Sequence, residues 1–124
     1  MKNPFNDVKQ FLTKTQQPMQ LKPQWPQDIP MRMALIIEEH KELIDARFNK
    51  DFPEWADAII DLLYVTIGAG IAAGINLEPL WDEVHHANMQ KFPGTKRQDG
   101  KQLKPEGWSP PNITAELTKQ GWKP

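Results

Sequence analysis

Between Glu54 and Ala73 the chain carries a helical segment that is apolar on nearly every side except along one acidic stripe. Ala58, Ile59, Ile60, Leu62, Leu63, Val65, Ile67 and Ile71 make up most of it, while Glu54, Asp57 and Asp61 fall at i, i+3 and i+7 on a common face. A helix that is apolar all round is expected inside a protein. Its carboxylates then cannot all face open water, and an uncompensated buried carboxylate is costly. Two compensations are open: an internal salt-bridge network, with Arg32, Lys41 and Arg47 as candidate cations, or a bound divalent metal. Gly68 and Ala72 continue the stripe and leave room beside the acids for a ligand or for a close helix neighbour.

The preceding helix carries a second acidic set. In Glu38-Glu39-His40-Lys41-Glu42-Leu43-Ile44-Asp45, the residues Glu38, Glu42 and Asp45 lie at i, i+4 and i+7, with Glu39 about 60° from Glu42. Taken alone, this stripe is equally a solvated face opposite an apolar side of Met33, Ile36, Ile37, Leu43, Ile44 and Phe48. Taken with the next helix, it places two acidic stripes on adjacent antiparallel helices, where four or more carboxylate oxygens converge. All-oxygen ligation suits Mg²⁺, Mn²⁺ or Ca²⁺, and Mg²⁺ is normally shared between a few carboxylates and substrate phosphates.

The 124 residues suffice for one domain with one core, so residues 1–124 are expected to form a single all-α unit. Ten of the twelve prolines lie in the first 30 and last 35 residues, so most regular structure is expected between them. Phe5, Val8, Phe11 and Leu12 mark a short amphipathic helix within residues 3–17. Residues 18–30 read as an extended, proline-rich connector. A second helix enters through Asp28-Ile-Pro30 and runs to about Asn49. A third runs from Glu54 to about Ala73 with Gly74 as its cap, and a fourth from about Asn76–Pro79 to Met89. From Phe92 onward a long irregular tail is expected, with at most a brief pairing at Lys101–Lys104.

Composition excludes several classes. No cysteine is present, so disulfides, thiolate metal sites and thiol nucleophiles are ruled out, and a cytoplasmic setting is expected. A net charge of −1 gives no global attraction to nucleic acid. The opening residues lack the apolar stretch of a secretory leader. Ala58–Ile75 raises the question of a membrane span, but Asp61 within it, Glu54 and Asp57 before it and three glycines favour a buried helix, with no membrane partner.

The order Glu38-Glu39-x-x-Glu42, a turn, Glu54-x-x-Asp57 and then Asp61-Leu-Leu-Tyr64-Val resembles the all-α NTP pyrophosphohydrolase superfamily. That group includes MazG-like, dUTPase-like and phosphoribosyl-ATP pyrophosphohydrolase-like proteins. Asn88-Met-Gln-Lys91-Phe and Asp99-Gly-Lys, followed by Lys104-Pro-Glu-Gly-Trp108-x-Pro-Pro, look like the last of these branches. The likeness spans about residues 30–113.

The resemblance implies an antiparallel helical bundle completed by oligomerisation, as a homodimer or homotetramer. It implies Mg²⁺-dependent hydrolysis of a nucleoside triphosphate, of the deoxy or non-standard kind, to the monophosphate and pyrophosphate, in a nucleotide-housecleaning role. By position Glu39 and Glu42 are metal ligands, and Glu38 is a further ligand or the group that orients the attacking water as general base. The second motif aligns in two ways. Its Glu-x-x-Asp spacing selects Glu54 and Asp57; alignment on Leu62-Leu63-Tyr64 selects Asp61, with Asp57 replacing the acid missing at Ala58. Asp57 ranks first, then Asp61, then Glu54. Lys91 and Asn88 are the first candidates for phosphate contacts, followed by Lys104 and Arg32, the latter equally suited to pairing with Glu39.

Trp25 and Trp108 are expected to pin loops rather than to stack on a base. Two other functions compete. One is a helical interaction module that keeps the fold without the chemistry. The other is a di-iron bundle, for which Glu83-Val-His-His86 supplies only one of the two Glu-x-x-His motifs required.

Overall fold

The computed structural model describes residues 3–124 and contains five helices and, among those residues, no strand. Helix α1 spans Pro4–Lys14, α2 Ile29–Phe48, α3 Phe52–Ala72, α4 Leu77–Met89 and α5 Ile113–Lys119. Side chains that the sequence supplies close their first turns. Asn3 accepts from the backbone of Phe5 and Asn6, Asp51 from Glu54, Asn76 from Glu78 and Asn112 from Ala115. Pro4, Pro30 and Pro53 sit in first turns, where a missing N–H costs nothing.

Helices α2 and α3 form a hairpin joined by a three-residue turn, and α1 lies across α3. The largest buried cluster is small: Val8 and Leu12 of α1 against Ile67, Ile71 and Ala72 of α3, with Phe5, Met19 and Leu77 at its edge. The room beside Gly68 is therefore taken by a close neighbour. A Cβ there would lie 3.6–3.9 Å from Arg32, Val8 and Leu12.

The proline-rich connector also serves the end of α3. The N–H groups of Gln20 and Gln24 donate to the carbonyls of Ala72 and Ala73, which lack helical partners. Gly74 makes this approach possible. Its φ is +73°, and a Cβ would come within 2.6 Å of the carbonyl oxygens of Gln20 and Lys22. Gly74→Ala is expected to cost roughly 1–3 kcal/mol, from left-handed backbone strain plus the displaced connector. A denaturant midpoint equal to wild type would contradict this.

Three expectations need correction. The first concerns α3, which is not buried all round within one chain. Ala58, Ile67, Gly68, Ile71 and Ala72 are buried, but Ile60 and Leu63 remain 59% and 50% exposed. The second concerns α2, which does not bury its apolar side. Met33, Ile37, Ile44 and Phe48 are exposed, whereas Arg32 and Ala46 are buried with Glu39 half-buried between them. These three recur at seven-residue spacing, so α2 turns a polar and small seam toward α3 and leaves its greasiest residues outside.

The third concerns the tail, which is not irregular throughout. Residues 92–112 contain only a single bridge between Lys96 and Gln102, close to the pairing expected at Lys101–Lys104, but α5 follows. The Gln120 amide ties α5 back to Asn76 through bonds of 2.8 and 3.0 Å. Helix α3 has the length and apolarity of a membrane span, yet it packs against α1 and α2 along a seam that carries acids.

Candidate metal centre

Midway along the α2–α3 hairpin, Glu39, Glu42 and Asp61 each place a carboxylate oxygen within 4.8 Å of the other two. Glu39 and Glu42 stand three residues apart on α2, and Asp61 faces them from α3. The seam directs them there: α2 turns Arg32, Glu39 and Ala46 inward, and α3 answers with Asp61 and the fully buried Ala58.

The electrostatics are those of crowded acids without a cation. Burial pushes the Glu39 carboxyl up to about 7, helped by a hydrogen bond to Glu42 and by the charges of Glu42, Asp61 and Glu38. Asp61 is also raised, first by burial, then by the charge of Asp57 and a hydrogen bond to it, and then by Glu42. Two carboxyls share a hydrogen bond only when one holds a proton. Fully ionised, Glu39 is left with Oε2 buried and without a partner.

The salt-bridge alternative is not what the side chains form. Arg32 is 3% exposed, and its guanidinium pairs with Asp28 at 3.1 Å and donates to Gln17 at 2.6 Å rather than reaching Glu39. Lys41 pairs with Asp45 on the exposed side of α2. Among the described residues, no ion pair involves Glu38, Glu39, Glu42, Glu54, Asp57 or Asp61. An orphaned buried carboxylate oxygen in an all-oxygen donor set fits a hard divalent cation.

Of the other candidates, Asp57 stands beside Asp61, and Glu38 is an exposed neighbour of Glu39. Glu54 lies outside the group, in the first turn of α3, where its N–H is capped by Asp51. Exposed Asn88 lies on α4, and Lys91 just after it. Lys91 and Lys104 both lie over the Trp108 ring, and neither is among the groups acting on Glu39 or Asp61. Trp108 does hold a loop, through an indole N–H to the Ala87 carbonyl, whereas Trp25 is 77% exposed and only its backbone is hydrogen-bonded, the carbonyl accepting from the Gln20 amide. Glu83 and His86 line a cleft against residues 105–111, apart from the acidic cluster.

A helical hairpin that gathers carboxylates from both arms defines an all-helical protein with an acidic triad that could hold a cation. The phosphoribosyl-ATP pyrophosphohydrolase family matches residues 6–88, and the chain belongs to that family, within the MazG-like all-α NTP pyrophosphohydrolase superfamily. The family points to pyrophosphohydrolase activity on a nucleotide and to dependence on a metal. An uncharacterized protein of Acanthamoeba polyphaga mimivirus is 45% identical over 53 residues, which are 43% of this chain and 21% of the viral protein. The chain thus aligns with about a fifth of that relative's length.

Proposed function

We propose that this protein hydrolyses a nucleoside triphosphate, of the deoxy or non-standard kind, to the monophosphate and pyrophosphate with Mg²⁺, and that it does so in the cytoplasm as nucleotide-pool housecleaning. The observation that carries the proposal is the meeting of Glu39, Glu42 and Asp61 with no ion pair to a cation among the described residues. A divalent cation bound there, Mg²⁺ or Mn²⁺, supplies Lewis-acid polarisation of phosphoryl oxygens and a lowered pKa for water.

Glu39, Glu42 and Asp61 are the proposed ligands, with Asp57 the next carboxylate available. Glu38, exposed one residue before Glu39, orients water and accepts its proton as general base. Glu54, which is not part of the cluster, is assigned an outer role at most. Lys91, Asn88 and Lys104 bind the charged phosphates. Arg32, already engaged by Asp28 and Gln17, is assigned to holding α2 against α1 and α3.

A homodimer or homotetramer completes the bundle. Met33, Ile37, Ile44 and Phe48 of α2 and Ile60 and Leu63 of α3 are the exposed apolar residues that a second copy would cover. No nucleic acid or membrane takes part in this scheme.

The deciding experiment is incubation of pure protein with Mg²⁺ and each common and non-standard (d)NTP, with the products separated by chromatography. Monophosphate and pyrophosphate in equal amounts are expected. Release of orthophosphate, or no turnover of any nucleotide, would refute the proposal.

A further inference from the structure

The end of α4 and the proline-rich tail meet at Trp108. The indole N–H donates to the carbonyl of Ala87 over 2.7 Å. That carbonyl lies in the last turn of α4, where helical donors run out, and the Lys91 N–H has turned instead to Asn88. Trp108 therefore closes the helix end with a bond that the backbone does not supply, and its ring is fixed by that bond. Nearby, the Gln102 side-chain amide donates to the Lys91 carbonyl at 3.2 Å, which brings the tail along the same helix end.

Two cations converge on this ring. Lys91 Nζ lies 5.5 Å and Lys104 Nζ 4.9 Å from its centroid. Both are within cation–π reach of about 6 Å. Neither forms an ion pair among the described residues, although Glu83 and Glu106 line the adjoining cleft of about 370 Å³. Two ammonium groups drawn to one aromatic ring repel each other, and a polyanion bridging them removes that repulsion while gaining charge-assisted hydrogen bonds.

We propose that Trp108 is a positioning residue: it holds Lys104 of the tail beside Lys91 of the helix end, so that the two lysines form one binding site for a pyrophosphate or polyphosphate chain. The inference rests on the nucleotide reading above and deepens it by naming what sets the two lysines in place. The site is present within a single chain and without metal, so metal-free binding isolates it.

The experiment is calorimetric titration of inorganic tripolyphosphate into the full-length protein in EDTA, with nucleotide KM and kcat measured in parallel. Lys104→Met and Trp108→Leu are each expected to weaken tripolyphosphate binding roughly tenfold and to raise KM with much less effect on kcat. Trp108→Phe keeps an aromatic face for both cations but loses the bond to the Ala87 carbonyl, so its affinity is expected to fall between those of wild type and Trp108→Leu. In a Lys104→Met background, Trp108→Leu adds little further loss, because its effect passes through that lysine.

Unchanged affinity in Lys104→Met and Trp108→Leu would overturn the inference, as would a full additional loss in the double variant, which would mark Trp108 as merely structural. Should Trp108→Leu fail to fold, Lys104→Met decides alone, since Lys104 is exposed and its affinity must fall. Tripolyphosphate binding lost in these variants, in a wild-type protein that turns over no nucleotide, would sink the proposed function and leave this site standing. Nucleotide turnover with unaltered KM in both variants would sink this site alone.

Discussion

Asp61→Asn and Glu42→Gln are each expected to reduce nucleotide turnover by roughly a thousandfold, the scale of losing a ligand to a Lewis-acid cation worth several kcal/mol in the transition state. Each substitution removes one negative charge from a cluster whose oxygens lie within 4.8 Å of one another. Repulsion is thereby relieved, so the metal-free variants should melt at or above the wild-type temperature even as activity collapses. That opposition of signs separates a functional acid from a structural one. Steady-state kinetics and thermal melts on the same samples check it. Activity surviving both substitutions, or a steep loss of stability in both, would remove the hairpin acids from the chemistry. Glu54→Gln serves as the contrast: with Glu54 outside the cluster, its effect on turnover should be far smaller.

Metal and pH should be linked through Glu39, with a definite sign. The Glu39 carboxyl is raised from an ordinary value of 4.5 to about 7, mainly by burial and by Glu42. Between those values the folded protein holds a proton that the unfolded chain has released. Stability of the metal-free protein is therefore fullest below about 4.5 and falls as pH rises through 7. Asp61, raised in the same direction, adds to the trend.

A divalent cation replaces the proton. Mg²⁺ should raise the melting temperature at pH 8 and have little effect at pH 5, and its binding near pH 6 should release about one proton. Calorimetry across pH 5–8.5, with Mg²⁺ or with EDTA, resolves both. Metal-free stability that rises through this window, or an equal Mg²⁺ effect at pH 5 and 8, would show that the acids do not share a cation.

Much of the helical layout was legible in the chain. The cap at Gly74, the prolines at helix entrances and the 3.6-residue periods place α1 to α4 within a few residues of where they lie. These signals are local: a cap needs only its own turn, and a period only one helix. Helix α5 was missed because seven residues following Pro110-Pro111 are too few to show a period. Its hold comes instead from Gln120 reaching Asn76, across 44 positions of sequence.

The acidic set was visible, but its geometry was not. The period on α2 made Glu38, Glu42 and Asp45 the natural stripe, whereas the fold rotates the helix so that Glu39 and Glu42 face α3 and Asp45 meets Lys41 in solvent. On α3, Asp57 ranked above Asp61, yet Asp61 is the one that meets the α2 acids, with Asp57 one turn away beside it. Rotation of a helix about its axis is set by what its partner offers. Here Ala58 and Gly68 give close approach, and Arg32 finds Asp28 and Gln17 across that seam.

The sequence by itself determined that Glu54, Asp57 and Asp61 share one face of a largely apolar helix, because helical spacing fixes which side chains line up. The tertiary structure decided that Glu39, Glu42 and Asp61 are the acids that converge and that Arg32 and Lys41 pair with Asp28 and Asp45 instead. The convergence depends on the relative rotation and spacing of α2 and α3, which no residue's local propensity encodes.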